Sequence, residues 1–232
     1  MLSQIHLYVT LVFIATVLLT LVMFLRITKN KIISYIICAW LLLNGILAYK
    51  GFYTDTSNIP PKFMLATVPV LLIIILLFLT RDGRKFIDKL DLKLLTLISI
   101  VRIPVELVLY WVFLDKAIPE LMTFAGGNFD ILSGITAPIV YLACFQGKIV
   151  VRKSLLLIWN IVCLGLLLNI IIKAILSAPF RFQRFAFDQP NIVVLYFPFI
   201  WLPCFIVMVV LFSHLVSIRR LALHSNKTHI TV

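Results

Sequence analysis

Apolar residues fill long unbroken stretches of this chain. They do not alternate, as in a half-buried strand, and they do not recur every three or four residues, as in a surface helix. A helix rises about 1.5 Å per residue, so a hydrocarbon core of about 30 Å takes about 20 apolar residues to cross. Seven stretches meet that need, at residues 5–25, 32–50, 63–80, 92–114, 129–146, 154–176 and 192–218. The third is the plainest, an apolar run from Val68 that ends at Thr80. The fifth is short and carries Gly134 and Pro138, which suit a tilted or re-entrant segment as well as a full span. The pattern predicts an all-α fold, a polytopic transmembrane helix bundle of seven spans. It forms one domain over residues 1–232, because no connecting stretch is long enough to fold alone.

Composition agrees. Of the 232 residues, 62% are apolar and 13% are charged, with mean hydropathy +1.12. Soluble domains hold about 45–50% apolar and about 25% charged residues. A soluble globular domain, a disordered chain and a disulfide-stapled module are all excluded. Cys38, Cys144, Cys163 and Cys204 lie within predicted spans and read as small packing residues.

The charge is lopsided, with 21 Lys and Arg against 9 Asp and Glu, net +12. In a soluble protein this would suggest nucleic acid. Here the basic residues alternate with the spans. Arg26, Lys29 and Lys31 fill the first loop, and Arg81, Arg84, Lys85, Lys89 and Lys93 the third. Lys148, Arg152 and Lys153 fill the fifth, and Arg219, Arg220 and Lys227 the tail. These are 14 of the 21, against six in the other loops: Lys50, Lys62, Lys116, Lys173, Arg181 and Arg184. The bias predicts an outside N-terminus and a cytoplasmic C-terminus, with the lipid bilayer as the partner and no nucleic acid. The first apolar run reads as a retained helix and not a cleaved signal, since no basic residue precedes it.

Arg102 is the basic residue that topology leaves unexplained. It shares the fourth span with Glu106, four residues on, so the two lie on one helix face and are expected to pair. Ser99 and Tyr110 fall on the same stripe, and Pro104 frees the carbonyl of Ile100 between the charges. Counted from span midpoints, Asn44, Glu106 and Asn169 sit at similar depth in the outer half, with Asp130 and Asn128 above them. The expected ligand-binding set is therefore Arg102, Glu106, Asn44, Asn169, Tyr110 and Asp130. The competing reading is structural: the charged seam packs helices or meets a membrane-protein partner, the asparagines bond between helices, and Lys173 snorkels. In the outer loops, Gly126-Gly127 permits a sharp turn, Asn128 is placed to cap the fifth span, and Phe180–Phe187 alternates aromatic and polar residues for the headgroup level.

Catalytic and cofactor patterns fail. Ser133-Gly134 and His214 are similar to the serine–histidine dyad of rhomboid proteases, but Ile131 stands where their GxSG motif has its first glycine. The predicted spans also put Ser133 near the outer end and His214 near the inner end. The last span has no lysine for a retinal Schiff base, the four histidines are scattered, and there is no HExxH, P-loop or Cys/His cluster. No cofactor and no metal are expected, and no known catalytic constellation supports an enzyme.

Two stretches resemble a known group. RIPVE at Arg102–Glu106, followed by FAGGNFDILSGITAP at Phe124–Pro138, and RFAFDQPNIVVLYFPFIWLP at Arg184–Pro203 are similar to uncharacterised multipass inner-membrane proteins of bacteria. The resemblance implies a bacterial cytoplasmic membrane and carries over no activity. The functional expectation is an outward-side pocket for a small polar or anionic ligand, serving transport or sensing; the alternative is a structural or accessory membrane protein.

Overall fold

A computed structural model describes residues 5–146 and 149–223. Lys148, Lys227 and the tail histidines His224 and His229 lie outside them. The regular structure among the described residues is helical apart from a two-residue antiparallel pairing of Phe145–Gln146 with Ile149–Val150.

Helices α1 (Leu7–Thr28) and α2 (Lys31–Tyr49) match the first two expected spans, and Asn30 separates them by accepting from the amides of Ile32 and Ile33. Helix α3 (Met64–Leu79) is apolar all round and turns by 95° into α4 (Arg81–Ile87). Thr80 makes the elbow: its hydroxyl donates back to the Leu76 carbonyl and accepts from the Gly83 amide. A Cβ at Gly83 would stand 2.5 Å from the Leu77 carbonyl oxygen, so only glycine fits. Arg84 then reaches back to the carbonyls of Phe78 and Leu79, which have no helical partner at the end of α3.

A straight run from Leu92 to Leu114 follows. It is α5 (Leu92–Leu97), a tighter 3-10 stretch (Ile98–Val101) and α6 (Arg102–Leu114). The tight stretch sits just before Pro104, whose missing N–H cannot bond the Ile100 carbonyl. Helix α7 (Ile131–Cys144) covers 14 residues, about 21 Å, short of a full hydrocarbon core. Helix α8 (Lys153–Ser177) matches its expected span.

The last expected span needs correction. Residues 192–201 are apolar but not part of a long helix; Val193–Leu195 makes a single 3-10 turn, and the long helix runs from Leu202 through a π-helical turn into α9 (Val207–Leu223). The cause is local: Pro198 lacks a donor and biases the residue before it away from helix, whereas Pro203 sits in the first turn of the long helix, where its missing N–H costs nothing.

Five helices are long and apolar enough to cross a membrane, or six if the bent α3–α4 pair is one span. The last helix is central, with 72% of its apolar window buried, and the Leu92–Leu114 run follows with 50%. The windows of α1, α2 and α8 are only 22–28% buried. Their outward faces carry Leu42, Ile46, Ile158 and Ile172, all more than half exposed. Apolar surface of that extent calls for an apolar solvent.

Candidate polar core site

Two elements bring three ionisable side chains together in the middle of this apolar bundle. Arg102 opens α6, two residues before Pro104, and is 2% exposed. Glu106 stands one turn along, at 1% exposure. Asp130 ends the loop before α7 and is 5% exposed.

The pairing differs from the expected one. Arg102 Nη1 lies 2.9 Å from Asp130 Oδ1 and also donates to the Cys163 carbonyl of α8 at 3.4 Å. Glu106 Oε1 instead accepts from Asn128 Nδ2 at 2.6 Å. Two residues on the same face of one helix have parallel stems, whereas Asp130 approaches Arg102 from across the α6–α7 contact. Gly134 makes that contact close: a Cβ there would stand 2.8 Å from Ile103 Cγ1 and 3.2 Å from the Ser99 carbonyl.

Asn128 is the organising residue. Besides Glu106, its amide donates to the Met122 carbonyl, and its side-chain oxygen accepts from the Asp130 amide at 3.2 Å. It thus turns the chain ahead of α7 without capping the helix itself, whose N-cap position is held by Asp130, and closes the outer loop over Glu106. Lys173 does not simply snorkel. Its ammonium donates to the carbonyls of Gly126 and Gly127, at 3.3 and 3.0 Å, and fastens that loop to α8.

Several atoms here have no hydrogen-bond partner among the described residues: Arg102 Nε and Nη2, Glu106 Oε2, Ser99 Oγ and Ser133 Oγ. Ser133 faces the Cys163 thiol without a bond satisfying its oxygen. Buried donors and acceptors are normally paired, so these groups form the least satisfied polar cluster, around the Arg102–Asp130 pair and Glu106.

A family model described as a domain of unknown function (DUF8737) matches residues 59–222. The chain belongs to that family. No curated protein and no solved structure matches it. The matched region holds Arg102, Glu106, Asn128 and Asp130, and leaves out α1 and α2.

The other expected site residues lie differently. Asn44 is 1% exposed on α2, accepts from the Tyr53 hydroxyl at 2.6 Å and donates to the Trp40 carbonyl. Burial pushes the Tyr53 hydroxyl up to about 12, so it remains a donor. Asn44 therefore fastens the loop after α2 and does not join Glu106. Tyr110 is half-buried and stacks on Phe124 of the outer loop, with centroids 4.8 Å apart. Asn169 is half-buried on α8.

The sequence reading also missed a pair. His214 is fully buried, and its Nδ1 lies 2.9 Å from Asn160 Oδ1 of α8. Its depth was misplaced by the early start assigned to the last span; within Leu202–Leu223 it is mid-helix. It packs edge-on against Trp159, whose indole N–H donates to Thr136 of α7. Ser133 and His214 are thus nearer in depth than expected, yet the histidine's described bond goes to Asn160. The four cysteines are free thiols, as packing residues should be.

Proposed function

We propose that the chain is an integral protein of the bacterial cytoplasmic membrane, crossing it seven times with its N-terminus outside. The broken α3 and the short α7 serve as the two thinner spans. In its outer half, Arg102, Glu106 and Asp130 hold a small polar ligand for transport or sensing. The observation that carries this reading is the set of unpartnered atoms: guanidinium N–H groups, a carboxylate oxygen and two hydroxyls sit together at the centre of an apolar bundle. They offer donors and an acceptor at once. That suits a small molecule with both kinds of group better than a simple anion, because Asp130 already occupies one side of Arg102.

Native mass spectrometry of protein released gently from membranes tests it. The expected result is an added small mass on the wild type that disappears in Glu106→Gln and Arg102→Met. A wild type that carries no added mass sinks the reading.

One observation favours a second, structural reading. The 2.9 Å contact of Arg102 with Asp130 ties α6 to α7, as a helix-packing device would. That reading expects the same variants to lose abundance with no bound species at any stage.

A further inference from the structure

The unpartnered polar atoms do not stop at the outer cluster. They continue inward, about one helical turn apart. Along the central run, Glu106, Arg102 and Ser99 are separated by four and three residues, so Ser99 lies about 10 Å inward of Glu106. Ser133 faces the same level from α7, where Gly134 touches Ser99. The 3-10 stretch that holds Ser99 packs on α9. On that helix His214 Nε2 and Ser217 Oγ, three residues apart, are fully buried and without a hydrogen-bond partner among the described residues.

The inner end is charged. Arg220, three residues beyond Ser217, donates to the Leu90 carbonyl and lies within electrostatic reach of Asp88 and Asp91. Asp88 itself receives both branches of Arg219 at 3.1 and 3.3 Å, and Asp91 caps α5. Polar groups thus follow one another from the outer loop to the cytoplasmic end of α9. Each isolated one would be costly in an apolar bundle, and packing alone gives no reason to align them.

We infer that Glu106, Ser99, Ser133, His214 and Ser217 form a proton path across the protein, with the Arg102–Asp130 ion pair beside it. The path goes beyond ligand binding at the outer cluster and shares only that cluster's residues with it. Buried polar atoms of this kind ordinarily hold ordered water, and hydroxyls, a carboxyl and an imidazole separated by single waters relay protons. A proton taken up by the Glu106 carboxyl passes through the hydroxyls to His214 Nε2, giving an imidazolium whose Nδ1–H stays on the Asn160 oxygen. The same Nε2 then releases the proton by way of Ser217 to the cytoplasmic carboxylates, and the imidazole is neutral again. Nothing is oxidised or reduced. The groups facing His214 are Asn160 and Trp159 of α8 and the Arg102 guanidinium, and those facing Glu106 are Arg102, Asp130 and Asn128.

The test is proton flux in proteoliposomes. A potassium gradient with valinomycin sets the voltage, and a trapped pH-sensitive dye reports proton entry. Wild type acidifies the lumen faster than protein-free vesicles. His214→Gln keeps a side chain able to bond Asn160 but cannot relay, and its flux falls to the protein-free level. Ser213→Ala, which removes a hydroxyl bonded only to its own helix at the Val209 carbonyl, leaves flux unchanged. Gel filtration and far-ultraviolet circular dichroism confirm that each variant is folded. Wild-type flux equal to that of empty vesicles overturns the path, and so does full flux in folded His214→Gln. Ligand binding is scored separately, because the mass carried by His214→Gln in native mass spectrometry depends only on the outer cluster.

Discussion

Arg102 shows how one side chain can tie several elements together. Its charge meets Asp130 from the α7 side and its N–H meets a carbonyl of α8. Removing one member of a buried ion pair leaves the other uncompensated, at a typical cost of about 3–5 kcal/mol. Arg102→Ala and Asp130→Ala should each lower the unfolding midpoint in detergent by that order, and the double variant should recover part of the loss. Additive losses would show that the two charges are not coupled. Asp55 gives a second prediction, on the loop between α2 and α3. Lys62, with Ser57 and Asn58, donates to its carboxylate and holds it well below the usual carboxylate range. A lowered folded-state value means that the stabilisation is complete above about pH 4 and is lost as the pH falls through the folded value. Amide protection in residues 52–63, taken relative to an unstructured chain at the same pH, should therefore fall only under strong acid. In Asp55→Asn that protection should already be low at neutral pH and should not change further in acid.

Among the elements, close approach is the recurring device. At Gly134 the α7 backbone lies against the central run where Pro104 has tightened it. Gly134→Val would force side chains and backbone apart at an expected cost of about 1–3 kcal/mol, measurable as a lower unfolding midpoint. Leu132→Val, on the exposed side of the same helix, should change little. These elements were unequally legible in the sequence. Long apolar runs located α1, α2, the Leu92–Leu114 run and α8 to within a few residues, because hydropathy and helical rise alone set their lengths. The last helix was placed ten residues early, since hydropathy does not distinguish an apolar helix from an apolar stretch broken by Pro198. The site was half legible. Arg102, Glu106 and Asp130 stood out because charge inside a span is costly. Which carboxylate meets the guanidinium depended on the α6–α7 crossing, which no spacing rule gives. Asn160 and His214 lay in separate spans with no shared periodicity, so their pairing left no mark in the sequence.

At the scale of the whole molecule, buried ionisable groups gather on the central run, the loop before α7 and α9, while the outer helices present apolar outward faces. The orientation read from the basic residues can be checked by labelling. In a background without native cysteines, Ser57→Cys should react with a membrane-impermeant maleimide on intact cells, and Lys89→Cys only after lysis. Labelling of both, or of neither, would contradict the proposed seven-span topology. The outer loop has a consequence in time. Asn128 holds Glu106, the Met122 carbonyl and the Asp130 amide together, and Lys173 fastens the neighbouring glycines. A molecule reaching Glu106 from outside must wait until these bonds open together, in a setting with little water to replace them. Exchange at this site should be slow and steeply accelerated by warming, and Asn128→Ala should make it fast and nearly temperature-independent. The rate of opening, more than the strength of binding, would then decide how long a molecule stays at the site.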